Sequence, residues 1–216
     1  MRAVLRDSVA DFHLQPKELE WTGLAFALYL PPQAGWVNRY GERYTFDDLA
    51  TELLSRRFMS ASCGGAHLLY TLTMIARADE MAPVLSTEGR GRVRERLQRC
   101  SRLAVAVQKS DGSWPGDWFL GTELSDGYDG ESPPGTLDHR RLVTGHMAEW
   151  MIHLPKELQV PETTLERAGR WLLADLKRLS AEEKAAQLCP CTHAVCVLRK
   201  LSFRESTGDD RSRGRE

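Results

Sequence analysis

The chain has 216 residues, of which 42% are hydrophobic and 27% are charged, and its formal net charge at pH 7 is −1. This composition is ordinary for a globular protein and is sufficient for one domain with a sizeable core. The balanced charge argues against nucleic acid or an anionic membrane as partner, and no apolar run approaches the roughly 20 residues that span a bilayer. The start of the chain shows no signal-peptide pattern, and five cysteines form a poor disulfide framework, so we expect reduced thiols and a cytoplasmic location.

The first segment, residues 1–44, combines a predicted helix with a predicted hairpin. Residues 18–30 are apolar enough for a buried helix, and residues 36–44 fit a small hairpin with Tyr40 and Gly41 at its turn. A second helix is predicted over residues 45–55, because Thr45 and Asp48 have the spacing of a capping box.

Two kinds of helix alternate along the rest of the chain. Three segments are apolar nearly all round, as in helices that are buried on every side: residues 66–76, 142–154 and 192–201. Two segments between them carry a single apolar stripe: residues 90–108 and 163–179. Thr163 and Glu166 predict a capping box at the start of the latter. The order predicts helical hairpins whose buried helices form an inner layer and whose amphipathic helices form an outer layer.

A long acidic segment separates the amphipathic helix predicted at residues 90–108 from the buried helix predicted at residues 142–154. Residues 109–139 are rich in Gly, Pro, Ser and Asp and contain no Lys or Arg after Lys109, which predicts a surface loop. Calcium binding through Asp126, Asp129 and Glu131 is an alternative to a solvated loop, although the segment does not fit the EF-hand pattern. Residues 203–216 are charged and are predicted to be a disordered tail.

The sequence QKSDGSW, from Gln108 to Trp114, resembles the QW repeat of squalene-hopene and oxidosqualene cyclases. In that family the glutamine caps a helix end and stacks against the tryptophan. The resemblance implies an all-α fold, namely a partial α/α toroid of the kind shared by terpenoid cyclases and protein prenyltransferases, over residues 45–202. A complete toroid has more hairpins than this chain supplies, which implies further repeats from another chain as a possible partner.

The catalytic motifs of these families are incomplete here. The sequence contains neither the D-x-D-D nor the D-C-T-A-E acid motif, and it lacks the D-x-C ligand pair of the prenyltransferase zinc site. Cys191-Thr-His193 is only faintly similar to the histidine-bearing helix of the prenyltransferases. The pattern Cys63-Gly-Gly-x-His67, with a later Thr-Gly-His, resembles bacterial proteins of this superfamily whose activity is not known. The sequence therefore leaves open whether the protein is an enzyme.

Each buried helix is predicted to begin with a small residue and a histidine: Ala66-His67, Gly145-His146 and Thr192-His193. If the inner helices run in the same direction, these first turns lie at one end of the layer. The partial positive charge of helix N-termini favours neutral histidine and an anionic ligand. We therefore expect the three histidines to line one polar cavity. The alternative is that each histidine caps its own helix.

Three further residues complete the candidate site. Cys63 precedes a buried helix, where the helix dipole is expected to lower its pKa, and it is a candidate nucleophile; the alternative is that Cys63-Gly64-Gly65 is simply a tight entry into the helix. Glu149 lies one turn after His146 in a buried helix and needs a partner there. Cys191 is a candidate zinc ligand, with a buried, inert thiol as the alternative. The catalytic candidates are His67, His146, His193, Glu149 and Cys63, and the metal candidates are His67, His146, His193 and Cys191.

Two functional hypotheses follow from this pattern. The first is a toroid protein, similar to terpenoid cyclases and prenyltransferases, with a small-ligand or metal site at the starts of its inner helices. Its ligand would be small and apolar or anionic, and zinc is the candidate cofactor. The alternative is a non-catalytic helical module for interaction or scaffolding. A deep cavity with histidines on its wall favours the first hypothesis, and a filled core with an exposed apolar flank favours the second.

Overall fold

Helices account for most of the structure. The computed structural model describes residues 2–32, 35–58, 61–119 and 137–209. Its helices are α1 Arg2–Ala10, α2 Leu19–Tyr29, α3 Phe46–Ser55, α4 Ala66–Met81, α5 Thr87–Val107, α6 Leu137–Ile152, α7 Glu162–Arg178, α8 Ala181–Ala186 and α9 Leu188–Asp209. Strands β1 Gly35–Val37 and β2 Arg43–Thr45 pair antiparallel, and short 3₁₀ turns occupy Ser62–Gly65 and Lys156–Leu158. The all-α prediction is confirmed, and so is the hairpin at residues 36–44.

The helices pack in two layers. In the first layer, α4 contacts α2 on one side and α6 on the other, and α6 contacts α9. In the second layer, α3 and α5 contact each other and α4, whereas α7 contacts α6 and α9. The apolar stripes of the second layer face the first, because Leu97 and Ala104 of α5 and Leu172 of α7 are fully buried. Leu176, for which burial was predicted, is only half-buried.

Helix starts depend on local capping. Thr45 Oγ1 accepts a hydrogen bond from the Asp48 amide, and the Asp48 carboxylate accepts one from the Thr45 amide, so the predicted capping box of α3 is confirmed. The box predicted at Thr163 and Glu166 is wrong, because α7 begins at Glu162 and Pro161 precedes it without a side-chain cap. Proline suits this position because its fixed φ leads directly into the helix.

Helices α6 and α9 begin earlier than their apolar patterns predicted. The first residues of α6 include Arg140 and Arg141, which lie between the predicted loop, residues 109–139, and the predicted helix, residues 142–154. Arg141 is nevertheless buried, because its guanidinium bonds to Asp175 of α7, and Arg140 bonds to Asp111. Helix α9 begins at Leu188 and contains Pro190 in its first turn, where a missing N–H costs no hydrogen bond.

The turn after α5 joins two helix ends through the side chain of Gln108, whereas the stacking of Gln108 on Trp114 implied by the QW-like motif stays a prediction. Gln108 Nε2 donates to the carbonyl oxygens of Gly112 and Thr164, both at 2.9 Å, and so connects the end of α5 to the start of α7. Gly112 has a φ of +96°, which glycine adopts without strain. Trp114 is fully buried, and its Nε1 donates to Ala104 O at 2.7 Å.

Two sequence predictions fall partly or wholly outside the described residues. Helix α9 extends to Asp209, into the segment for which a disordered tail was predicted, and residues 210–216 lie outside the described ranges. The calcium candidates Asp126, Asp129 and Glu131 also lie outside them. Among the described residues, none of the helices has both the length and the hydropathy required to cross a membrane.

Candidate metal centre

His67, His146 and His193 lie together where α4, α6 and α9 meet. His67 Nε2 is 2.8 Å from His146 Nε2, and the ring centroids of His146 and His193 are 3.8 Å apart. His146 is buried, whereas His67 and His193 are partly exposed. Trp21 of α2 covers the His67 ring at a centroid distance of 4.5 Å and is itself 44% exposed. The cluster therefore lies at the accessible surface of the first helix layer.

The histidines do not meet for the reason predicted from the sequence. His67 is in the first turn of α4, but His146 lies in the middle of α6 and His193 in the second turn of α9. Their proximity depends instead on the register of α6 against α9. Gly145 permits this register, because a Cβ there would lie 3.0 Å from the Cβ of His193. The helix-dipole argument therefore applies to His67 alone.

Burial determines the protonation of the inner histidine pair. Burial, together with the neighbouring positive charge of His193, lowers the pKa of His146 to about 4. Burial and the same charge also lower the pKa of His67. His146 Nδ1 lies 2.8 Å from Leu142 O, which only an N–H can satisfy, so neutral His146 carries its proton on Nδ1. Its Nε2 lone pair therefore points at His67.

Glu149 has the partner that its burial requires. Its Oε2 lies 2.8 Å from His193 Nδ1. Burial by itself would raise the pKa of Glu149, but the hydrogen bond from His193 and the nearby histidine charges outweigh burial and lower it. The carboxylate therefore orients the imidazole of His193, and a hydrogen-bonded imidazole and carboxylate are groups suited to proton transfer.

Cys63 lies in a tight left-handed turn that leads into α4. Its φ is +53°, and Gly64 and Gly65 follow with φ values of +59° and +78°. Gly64 O accepts a hydrogen bond from Trp118 Nε1, which holds the turn in place. A non-glycine residue in this region is strained, and such strain is concentrated at functional sites. Burial raises the pKa of the Cys63 thiol, and so the lowering expected from the helix dipole is wrong.

The structure brings one cysteine to the histidines, and it is not the one predicted as a metal ligand. Cys63, His67 and His146 each place one ligand atom so that all three lie within 4.8 Å of one another. His193 is adjacent but does not belong to this set of donor atoms. Cys191 lies elsewhere, in a groove between α7, α8 and α9, because it is on a different face of α9 from His193.

Four further residues lie beside the candidate site, and of these the sequence predicted a role only for His153, as one possible partner of Glu149. Trp21 covers His67, and Tyr70, His153 and Lys200 form a second polar cluster. The signal for two of them was present: His153 follows His146, and Lys200 follows His193, by two helical turns. Nothing in the local sequence around Trp21 pointed to the histidines. Comparisons with family models, curated proteins and solved structures find no match to this chain.

Proposed function

We propose that the protein binds a zinc ion through Cys63 Sγ and one nitrogen each of His67 and His146. The proposal depends above all on the 2.8 Å distance between the two Nε2 atoms. Two imidazole lone pairs repel each other at that distance, so a proton or a metal ion must lie between them. Cys63 Sγ lies within 4.8 Å of the two nitrogens and supplies a third ligand atom. A proton between the two histidines requires only the nitrogens, so the presence of the thiol favours a metal ion.

The donor set fits zinc better than the other common metals. Thiolate and imidazole are ligands of zinc and copper, whereas calcium and magnesium require oxygen. Zinc binds imidazole nitrogen at about 2.0–2.1 Å, which places two ligand nitrogens about 3.3 Å apart in a tetrahedron. The imidazoles of His67 and His146 would therefore separate by roughly half an ångström on binding. The hydrogen bond of His146 to Leu142 O is the outer contact typical of metal-binding histidines.

The arrangement supports a catalytic rather than a structural zinc. Three protein ligands leave the fourth position open, which is typical of catalytic sites, and a water bound there would have a pKa of about 7. The His193–Glu149 pair lies beside the ligands, where it can accept or donate a proton. Metal-assisted hydrolysis is the reaction class that uses these two parts.

The proposed centre is consistent with the toroid suggested by the QW-like turn. The two-layer packing and the contacts of Gln108 support membership of a partial α/α toroid similar to terpenoid cyclases and prenyltransferases. Its ligand set nevertheless differs from the prenyltransferase pattern, because the cysteine comes from the turn before α4. Small-ligand binding at the exposed face of the first layer is part of the proposal.

The interaction-module alternative also has one observation in its favour. A shallow apolar groove of about 430 Å³ runs between α7, α8 and α9, and Leu188 and Val195 are exposed along it. If this groove mediates self-association, Val195→Lys should convert an oligomer to a monomer in light scattering without changing metal content. A monomeric parent protein would remove this support.

Metal analysis of the purified protein tests the proposed centre. We expect about one zinc per chain after zinc-supplemented expression and desalting. Cys63→Ser and His146→Asn should each weaken zinc binding at least tenfold, because each removes one of three protein ligands. Cys191→Ser is the matched control and should retain zinc.

The outcome that contradicts the proposal is equally specific. Zinc binding that survives Cys63→Ser and His146→Asn, in variants whose circular dichroism shows them folded, would exclude this centre. If only Cys191→Ser loses zinc, the metal site lies in the groove between α7 and α9 and not at Cys63, His67 and His146.

A further inference from the structure

A second polar cluster lies on the same helix faces as the proposed metal ligands. Lys200 of α9 donates a hydrogen bond to His153 Nε2, just beyond the end of α6. The Tyr70 ring of α4 lies 5.5 Å from the His153 ring, centroid to centroid. We refer to Tyr70, His153 and Lys200 as the Lys200 cluster. Its three side chains come from the same three parts of the fold as the three histidines.

Helical periodicity sets the distance between the two clusters. His153 follows His146 by seven residues, and Lys200 follows His193 by the same interval, so each is two turns further along one face. Seven residues of α-helix span about 10.5 Å. Glu149, one turn after His146, lies between the clusters. The two clusters are therefore the ends of one polar strip.

The Lys200 cluster is a set of hydrogen-bond donors with a positive charge. Among the described residues, no carboxylate lies within ion-pair distance of Lys200. Its ammonium group has three N–H donors, and one of them bonds to His153 Nε2. Burial raises the pKa of Tyr70 to about 12, so the phenol remains protonated and can donate. Glu149, the nearest acidic group on this strip, is already bonded to His193.

We infer that the Lys200 cluster binds an anionic group, carboxylate or phosphate, of a ligand whose other end reaches the centre formed by Cys63, His67 and His146. The inference rests on the proposed zinc site and adds the class of its ligand: an elongated molecule with a negative group about 10 Å from the metal-bound end. A charge-assisted hydrogen bond from Lys200 supplies the main attraction, and a hydrogen bond from the Tyr70 hydroxyl orients the anionic group.

Calorimetric titration with two dicarboxylates tests this ligand class. Suberate, whose extended chain is about as long as two helical turns, can place one carboxylate at zinc and the other at Lys200, whereas succinate is too short. We expect the zinc-loaded protein to bind suberate at least tenfold more tightly than succinate. Lys200→Met should abolish this preference and leave zinc content unchanged. Lys184→Met, in the groove between α7 and α9, is the matched control and should preserve it.

Inorganic phosphate provides a separate measurement on the chelated, metal-free protein. Phosphate binding that is lost in Lys200→Met supports the anion subsite independently of zinc. If zinc binds but Lys200→Met leaves both the suberate preference and phosphate binding unchanged, the inference is wrong and the metal proposal stands. If the protein binds no zinc and phosphate binding does not depend on Lys200, both are wrong.

Discussion

At the scale of single residues, His146 connects most of the candidate site. It contacts His67 through Nε2, stacks beside His193 and bonds to the backbone of its own helix through Nδ1. Contacts at both ring nitrogens fix the orientation of the imidazole. Because it is also the most buried of the three histidines, its protonation has the largest consequence for stability.

The metal-free protein should lose stability as the pH falls from about 6.5 towards 4. The pKa of His146 is lowered from 6.5 to about 4 in the folded state. Between these two pH values, His146 is therefore protonated in the unfolded chain and neutral in the folded chain. Unfolding is therefore favoured as pH falls, by up to about 3 kcal/mol at pH 4 relative to pH 7. The lowered pKa of His67 acts in the same direction.

Urea unfolding of the chelated protein at pH 7 and pH 5 measures this effect. His146→Asn should reduce the difference in unfolding free energy between the two pH values, because the group that resists protonation is gone. His13→Asn, at an exposed histidine, should leave the difference unchanged. An equal pH dependence in the wild type and in His146→Asn would contradict the assignment of a lowered pKa to this residue.

At the scale of elements, the turn Ser62–Gly65 places Cys63 against α4 and α6. Gly65 has a φ of +78°, and a Cβ at this position would lie 1.6 Å from Cδ1 of Phe58. Phe58 is buried against Trp118, which also bonds to the turn, so it has little room to move. The turn therefore requires glycine for both its backbone conformation and its packing.

Gly65→Ala and Gly91→Ala should have opposite effects on stability. Gly65→Ala is expected to lower the unfolding free energy by at least about 2 kcal/mol, because it combines a left-handed φ with a steric clash. It should also reduce zinc affinity by displacing Cys63. Gly91 lies within α5 with nothing near its Cβ position, so Gly91→Ala should stabilise by about 0.5–1 kcal/mol. Thermal unfolding of both variants measures the two changes in stability. Equal stabilities would mean that neither the backbone conformation nor the packing at position 65 requires glycine.

The elements also show where the sequence pattern predicts correctly and where it does not. Amphipathic α5 and α7 were predicted because one apolar stripe at helical spacing is visible in the sequence alone. The start of α6 was missed because Arg141 reads as a solvent-exposed residue. Partners far along the chain make its burial possible, among them Asp175 on α7 and Gln187 after α8. Errors at helix starts then led to the wrong placement of His146 and His193 in first turns.

At the scale of the whole molecule, the QW-like turn connects both layers. Gln108 joins α5 to α7, and the Trp114 amide donates to Thr144 Oγ1 of α6 at 3.0 Å. The Trp114 ring is fully buried, and its Nε1 bonds to Ala104 O of α5. Three consecutive helices, α5, α6 and α7, are therefore joined by contacts from one loop.

Trp114→Ala should destabilise the protein by about 3–5 kcal/mol, because it leaves a large cavity and removes the hydrogen bond to Ala104 O. Trp21→Ala is the matched control: its ring is 44% exposed, so the expected cost is about 1 kcal/mol or less. Chemical unfolding at pH 7 measures both values. A Trp114→Ala protein as stable as the Trp21→Ala protein would show that the turn does not hold the layers together.

The sequence by itself determined the helical class, the buried character of α4 and α6, the amphipathic stripes of α5 and α7, and the turn from Gln108 to Trp114. The prediction that residues 192–201 are buried on every side is wrong, because only Ala194 and Val197 of that segment are buried and Val195 is 54% exposed. The correctly predicted features depend on residues close together in the chain: apolar spacing, capping residues and a glycine at a left-handed position. Their physical causes are local, so they can be recognised without knowledge of the other helices.

Only the tertiary structure decided which side chains form the candidate centre. The register of α6 against α9, permitted by Gly145, brings His193 to His146. The turn before α4 brings Cys63 rather than Cys191 to the histidines. Such contacts join residues far apart in sequence, and their distances depend on ion pairs and close approaches between helices. No local pattern records these, because a shift of one residue in register places a different side chain on the facing surface.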